Sequence, residues 1–405
     1  LLLTRDLPGF DVRMTLRPAG TVPGEVIGEV KVVRTPVELD VNVQNLGSRE
    51  VGRFGGIAQL RLNGLLGMGD RTTIGFFSTA DFKEQQVAQL SEEIRVGREG
   101  LTLGADFNYA WTNPTIPNFT LRSRTLVATL RARYPLIRRQ SHNLFLSGGV
   151  DFINQASRLI GPTGAIPLSR DRLRVGYARL DYQAVDPASI AGTTGYSISE
   201  PRWAVGGSLE LRQGMDVFDA SPDCRGNPRA CGSIKSSRII ADPSAFVMRG
   251  SANVTFRPIP LIGFSLQPRA QYAPHALLSY EQFSAGNYTI GRGFDPGTLL
   301  GDSGVGVRGE ITVGSMVPRS RKDLAIQAYG FIDAAWAWDH DPTSPIRYPE
   351  KLQSGGGGAR VAFGDRFQAD AGIAVPFRAA GLQIQRGDTR FLVSLTAKLL
   401  PWGRH

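Results

Sequence analysis

Apolar and polar residues alternate along most of this chain. In "VELDVNVQN", Val37, Leu39, Val41 and Val43 alternate with Glu38, Asp40, Asn42 and Gln44. In "LTLGADFNYAW", Leu101, Leu103, Ala105, Phe107, Tyr109 and Trp111 alternate with Thr102, Gly104, Asp106, Asn108 and Ala110. Further on, Phe246, Met248, Ala252, Val254 and Phe256 alternate with Arg249, Ser251, Asn253, Thr255 and Arg257. Period two is the mark of a β-strand, whose successive side chains point to opposite faces. Read through the chain, it predicts sixteen strands, near 37–45, 51–62, 71–79, 85–96, 100–112, 119–134, 142–154, 172–184, 202–213, 245–258, 262–273, 304–316, 324–338, 353–363, 366–377 and 389–399. Convincing helical periodicity is absent from this region.

Sixteen strands without helices must dispose of their edges, which a propeller or a closed barrel does at this length. A propeller repeats every 40–50 residues or so, and no such repeat is found. Many of the strands reach the roughly 9–11 residues that cross a bilayer at a tilt. One face of each is apolar; the other carries Asp, Asn, Gln, Arg and Glu. A water-soluble sandwich turns its apolar face inward, a membrane barrel outward to lipid. Two features favour the barrel. Short connections ("NGLLGMGD", "GREG", "PIPLIG", "FGDR") alternate with long ones, expected at 154–171, 215–244 and 274–303. Tyr109, Trp111, Trp203, Tyr272, Trp336 and Trp338 also gather near strand ends, as in interfacial girdles. The reading predicts that Asp106, Asn108, Arg249, Asn253, Gln267 and Arg269 face the lumen. Phe107, Tyr109, Phe246 and Phe256 then face lipid.

Residues 1–35 differ: "LLLTRDLPG" reads as a helix end, and "FDVRMTLRPA" and "EVIGEVKVVR" as two strands joined by a Pro/Gly turn. The chain opens without a signal peptide and reads as cut through an element. Across 405 residues the net charge is +10, without a Lys/Arg block of the kind that grips nucleic acid. Solubility, or contact with phosphate-bearing lipid or an acidic partner, accounts for it. Cys224 and Cys231 have six residues between them in "PDCRGNPRACG". The four histidines, His142, His275, His340 and His405, lie outside that loop, so a zinc site lacks ligands. A loop disulfide formed in an oxidising compartment is the preferred reading. No nucleophile–base motif is visible, and no cofactor or metal is expected. "SGGGG" at 354–358 lacks the Gly-Lys-Ser/Thr of a phosphate loop, and glycine in a barrel strand more often marks a bend.

"YTIGRGFDPG" at 288–297 sets Arg292 between two glycines in a loop-like stretch. The glycines let the backbone approach a wall closely, and a guanidinium forks onto a carboxylate. In 324–338, Asp333 alternates with Ile332 and so points inward, as Arg308 and Glu310 do against Val307 and Ile311. The fork therefore has carboxylates to reach across the lumen.

At this point the chain resembles a known family. "LPGFDVRMTLRPA" followed by "NLGSREVGRFGGIAQLRLNGLLGMGDRTTIGF" is similar to the junction of a polypeptide-transport-associated (POTRA) domain and a barrel in two-partner-secretion transporters, the ShlB/FhaC/HecB class. That class belongs with the BAM-type outer-membrane insertases. The resemblance runs from 1 to 400 and is strongest at 36–80, 288–310 and 329–337. It implies an all-β fold: a sixteen-stranded antiparallel transmembrane barrel at 36–400, preceded by the C-terminal remnant of an α+β POTRA domain at 1–35 and followed by a short tail at 401–405. It implies a non-enzymatic, ATP-independent pore in the outer membrane, monomeric, with its N-terminal part in the periplasm. The partners implied are a secreted exoprotein as unfolded cargo, secreted or also activated, and outer-membrane lipid and lipopolysaccharide; nucleic acid is not among them. Arg292, Gly293 and Phe294 match the Arg-Gly-aromatic tip of the family's lumenal loop, and Asp333 in "YGFIDAAW" matches its partner, with Glu310 as a further carboxylate. The sequence departs from the pattern at Gly291, where a branched apolar residue is usual, at Ala335 in place of a glycine, and in the non-aromatic end "PWGRH". A BAM-type insertase, a solute porin and a barrel hydrolase remain as rivals.

Overall fold

The computed structural model describes residues 2–19, 25–116, 119–161, 164–192, 194–341, 349–380 and 387–401. Sixteen long antiparallel strands form one closed barrel. In chain order they are β1 (Val37–Gln44), β2 (Gly55–Asn63), β3 (Arg71–Thr79), β4 (Gln85–Val96), β5 (Leu101–Thr112), β6 (Phe119–Arg138), β7 (His142–Gly161) and β8 (Gly164–Val185). The circuit continues with β9 (Trp203–Gly214), β10 (Phe246–Ile259), β11 (Ile262–Tyr272), β12 (Ser303–Gly314), β13 (Leu324–Trp338), β14 (Glu350–Phe363), β15 (Phe367–Pro376) and β16 (Arg390–Leu400). Each pairs with its chain neighbour, and β16 closes on β1 from Ser394↔Gln44 to Leu400↔Leu39. Closure leaves no unpaired strand edge, the requirement that hydrocarbon imposes on a spanning sheet.

The alternation fixes which side chain faces which medium. Phe107, Phe246 and Phe256 are exposed on the outer wall, and Tyr109 lies on the same outward face of β5. On the other face Asp106 receives Arg131 Nε at 2.7 Å and Ser91 Oγ at 2.6 Å. The inward charge of Asp106 is thus paired within the wet interior, while the outward positions beside it on β5 are apolar.

One expected connection is not a loop. Residues 154–161 and 164–171 continue as ladder: Asn154 pairs with Arg172, and the pairing runs on to Gly161↔Gly164. Strands β6, β7 and β8 accordingly reach 20, 20 and 22 residues, about twice what a bilayer needs. Arg158 and Pro167 break the apolar period there. Beyond the membrane both faces of a hairpin are wet, so its strands need no apolar face, and period two fades although the ladder continues.

The short connections 64–70, 97–100, 260–261 and 364–366 share one rim with the N-terminal segment. That segment has a helical turn, Leu2–Arg5, and an antiparallel hairpin of Phe10–Pro18 with Val26–Arg34. Arg138 holds it to the barrel through Asp6 at 2.6 Å and 2.9 Å, and Arg95 donates to the Asp6 carbonyl at 2.9 Å. At the opposite rim the connection 215–245 carries a Cys224–Cys231 disulfide, with Cα atoms 5.5 Å apart.

Candidate functional site

The connection from β11 to β12, residues 273–302, folds back inside the barrel. Phe283, Ala285, Ile290, Phe294 and Leu299 are buried against Ala335 and Ala337 of β13 and Leu352 of β14. A short ladder, Phe283–Ala285 with Leu299–Gly301, closes the loop on itself. An apolar seam of this kind holds the loop against the wall by burial.

The polar contacts fix its position. Gly291 has φ +116°, a conformation that disfavours a side chain, and a Cβ there would meet Leu352 Cδ1 at 2.6 Å. A Cβ on Gly293 would lie 2.7 Å from the Ser354 side chain, whose hydroxyl accepts the Gly293 N–H at 3.2 Å. Between these close approaches Arg292 forks onto Asp333: Nε to Oδ2 at 3.0 Å and Nη2 to Oδ1 at 2.8 Å. Its backbone N–H donates to the same carboxylate at 2.9 Å, and Nη1 donates to Glu310 at 2.7 Å. The Asp333 side chain is fully buried. Ile290, one position before the departure at Gly291, is buried in the apolar seam, and so is Ala335.

Charge and stacking extend this contact along the wall. Arg360 of β14 holds Glu310 with two bonds of 2.5 Å and 2.9 Å, and Asp370 of β15 at 3.0 Å. Tyr329 donates to Asp370 at 2.7 Å. The Arg292 guanidinium lies 3.6 Å from the Phe331 ring centroid and that of Arg360 4.1 Å from Tyr329, a double cation–π arrangement. The two rings stack at 6.3 Å. Space for them comes from the glycine run of β14. A Cβ on Gly356 would stand 2.9 Å from Phe331 Cζ, and one on Gly358 2.7 Å from the Tyr329 hydroxyl. A Cβ at either position would also meet the neighbouring strand, at 1.9 Å from the Ile373 carbonyl oxygen and 2.3 Å from that of Ala371, so the run admits both the rings and the close approach of β15.

A second anchor lies on another part of the wall. Glu281, buried in the same loop, accepts Arg212 of β9 at 2.8 Å and 3.1 Å and Arg249 of β10 at 2.8 Å. Arg212 also reaches Asp151 of β7 at 2.9 Å. The loop thus crosses the lumen between the β7–β10 wall and the β12–β14 wall. Arg269 contributes from β11, with its guanidinium 5.8 Å from the Phe283 ring centroid, and Arg308 donates to the Thr289 carbonyl at 3.2 Å. At the far rim Asp302 is gripped by Arg238 and accepts the N–H groups of Leu277 and His340 at 2.9 Å and 2.8 Å. Burial pushes its carboxyl up, but Arg238 and the two donors outweigh that and hold it below the usual carboxylate range.

Arg292, Gly293, Phe294, Glu310 and Asp333, singled out in the sequence, meet in one place; Cys224 and Cys231 lie apart at the rim. Sequence reasoning missed Glu281, Arg212, Arg360, Asp370 and the Tyr329–Phe331 pair. The signal available was phase: Arg212 and Arg249 alternate inward on apolar strands, and buried guanidinium groups demand a carboxylate. Nothing in "SYEQF" marks Glu281 as that carboxylate. Among the described residues no cluster of His, Cys, Asp and Glu is arranged to hold a metal.

The family described as haemolysin secretion/activation protein ShlB/FhaC/HecB matches residues 29–361, which include Arg292, Glu310 and Asp333. No curated protein sequence matches the chain. Among solved structures, CdiB from Escherichia coli is similar, with a TM-score of 0.74 and 16% identity over 98% of this chain and 69% of that one. CdiB from Acinetobacter baumannii gives 0.67 and 17% over 98% and 66%. BamA from Haemophilus ducreyi, lacking POTRA domains 1–3, gives 0.59 and 13% over 96% and 75%. At these identities the likeness is one of fold, and the chain spans about two thirds of the length of the two CdiB proteins. With more than half of its residues matched, this chain belongs to the haemolysin secretion/activation protein family ShlB/FhaC/HecB, and its closed barrel is that of an outer-membrane transporter.

Proposed function

We propose that this barrel is a protein-conducting pore that secretes an unfolded partner exoprotein across the outer membrane without ATP. The observation that carries the reading is the loop 273–302, held inside the lumen by the Arg292 fork on Asp333 and Glu310. A pore for a chain needs a plug that can leave. The ionic anchors suit that task, because water and a passing peptide can replace their hydrogen bonds, and the apolar seam can be exchanged for apolar side chains of the cargo. Residues 1–35 are read as the end of a periplasmic POTRA domain that hands cargo to the near rim, 36–400 as the barrel and 401–405 as its tail. The disulfide rim would then lie at the cell surface, an oxidising setting. The pore acts as a monomer in lipopolysaccharide-containing membrane.

The test is a reconstitution. The full-length protein is placed in nucleotide-free vesicles with the exoprotein encoded beside it, held unfolded in urea and diluted. Protease-protected transfer that depends on the barrel is the expected result. Depletion in cells that leaves the exoprotein secreted, but lowers the levels of unrelated outer-membrane proteins, would overturn the reading in favour of an insertase.

A further inference from the structure

The extended hairpins β6–β8 carry a group of arginines on the outside of the barrel. On β6 the outward positions run Tyr134, Ala132, Leu130, Ala128 and Leu126, then Arg124 and Arg122. Eight residues at about 3.3 Å each, tilted by about 40°, rise roughly 20 Å, most of the apolar band of a membrane barrel. Arg124 therefore falls where acyl chains give way to headgroups. Trp111, its Cα partner on β5, marks the same interface. In the same row, Ala156 of β7 stands opposite both Arg124 and Arg170 of β8. One row farther out, Arg122 and Arg158 are direct cross-strand partners.

Arg122, Arg124, Arg158 and Arg170 are all exposed, and among the described residues none forms a salt bridge. Like charges set directly opposite on adjacent strands repel, so the arrangement is at odds with the fold's own stability. An anion lying across the rows would reverse the sign of that contribution, and guanidinium groups bind phosphate oxygens bidentately. We propose that this outer face of β6–β8 binds a multiply phosphorylated lipid headgroup of the outer leaflet. The patch faces away from the lumen that cargo would cross, which favours lipid over the exoprotein. Its rows are two residues apart along the strands, about 6.6 Å at about 3.3 Å per residue, so two phosphates on one headgroup can be held at once. Seated there, the lipid would fix the height of the long hairpins and brace the wall that carries Asp151 and Arg212, the partners that face the loop at Glu281.

The inference rests on the membrane placement proposed above. The experiment uses the whole protein in neutral detergent, titrated with bisphosphorylated lipid A, with its dephosphorylated form and with inorganic phosphate, and reads bound lipid by native mass spectrometry. Wild type should retain the bisphosphorylated lipid at least tenfold better than the dephosphorylated one, with inorganic phosphate a weak competitor. R122Q/R124Q/R158Q/R170Q should abolish that preference, and the matching lysine set should keep most of it. The two-residue variant R124Q/R170Q supplies the same comparison should the fourfold one fail to fold, as judged by heat-modifiable migration. Equal retention of the two lipids by wild type, or an unchanged preference in the glutamine variants, would overturn the proposal. So would glutamine variants that keep the lipid but lose cross-linking to exoprotein. A protein that inserts into no vesicle at all, whatever the headgroup, would instead discredit the membrane placement itself.

Discussion

The Arg292 anchor predicts an asymmetry between its two partners. Removing the arginine leaves Asp333, whose side chain is fully buried, with the Arg292 backbone N–H as its remaining donor on the loop. Asp333→Asn removes the fork but leaves Arg292 on Glu310 at 2.7 Å. Breaking a buried pair by deleting one member costs on the order of 3–5 kcal/mol, and a wet lumen places this at the lower end, about 3 kcal/mol. Loss of the fork alone, with one charge-assisted bond kept, costs about 1.5 kcal/mol. The reporter is Ala285→Cys, a small change at a position of the loop that is buried while the loop is docked. Its reaction with a water-soluble maleimide requires release of the loop, so the rate follows the open population. At about 1.4 kcal/mol per tenfold, Arg292→Ala should speed labelling about a hundredfold and Asp333→Asn about tenfold. The double variant should label no faster than Arg292→Ala, because both remove one interaction and the second deletes the stranded charge. Arg292→Lys should fall between wild type and alanine, since an ammonium cannot fork. Rates for Arg292→Ala within twofold of wild type, or Asp333→Asn exceeding it, would refute the reasoning.

Other outcomes follow from the same contacts. Without reductant, Cys224 and Cys231 should take up no thiol reagent on intact cells, since they are joined; stoichiometric labelling of both would contradict the structure. A charge at outward Phe107 or Phe256 should cost roughly 2–4 kcal/mol near the bilayer midplane and much less at inward Asn108 or Asn253, measurable by chemical denaturation in lipid. Gly358→Val should lower the melting temperature, because its Cβ would meet the Ala371 carbonyl oxygen at 2.3 Å and the Tyr329 hydroxyl at 2.7 Å; an unchanged melting temperature would argue against the close packing at this glycine. Glu281→Gln should raise labelling of the Ala285→Cys reporter and should multiply with Arg292→Ala, because the two anchors share no partner.

Much of the barrel can be read in the chain, and the reason is physical. A strand with lipid on one side and water on the other must alternate, so β4 at 85–96 and β13 at 324–338 are legible to the residue. Where that two-sided constraint lapses, the signal lapses with it. The outer parts of β7 and β8 have polar surroundings on both faces, and Asn154–Gly161 with Gly164–Asp171 reads as a loop although it is ladder. The glycine run 355–358 is legible only as a close approach: composition does not say what comes close, here the rings of Phe331 and Tyr329 together with the β15 backbone at Ile373 and Ala371.

The site is half legible, along a line set by chemistry. Arg292 stands out because two glycines isolate it, and Asp333 because inward phase places a carboxylate among apolar neighbours. Glu281 has neither mark, yet its contacts with Arg212 and Arg249 are as short as those of Arg292 with its own partners. What distinguishes the two anchors is what remains when one lets go. Around Arg292, Glu310 keeps Arg360 and Asp333 loses its fork; around Glu281, Arg212 keeps Asp151, while Arg249 retains Gln271 at 2.9 Å. The Glu281 anchor can therefore open without stranding a buried charge, and the Arg292 anchor cannot. A loop that must leave the lumen under the weak push of an unfolded chain would release first at Glu281, swing on the Arg292 end, and give up the fork last.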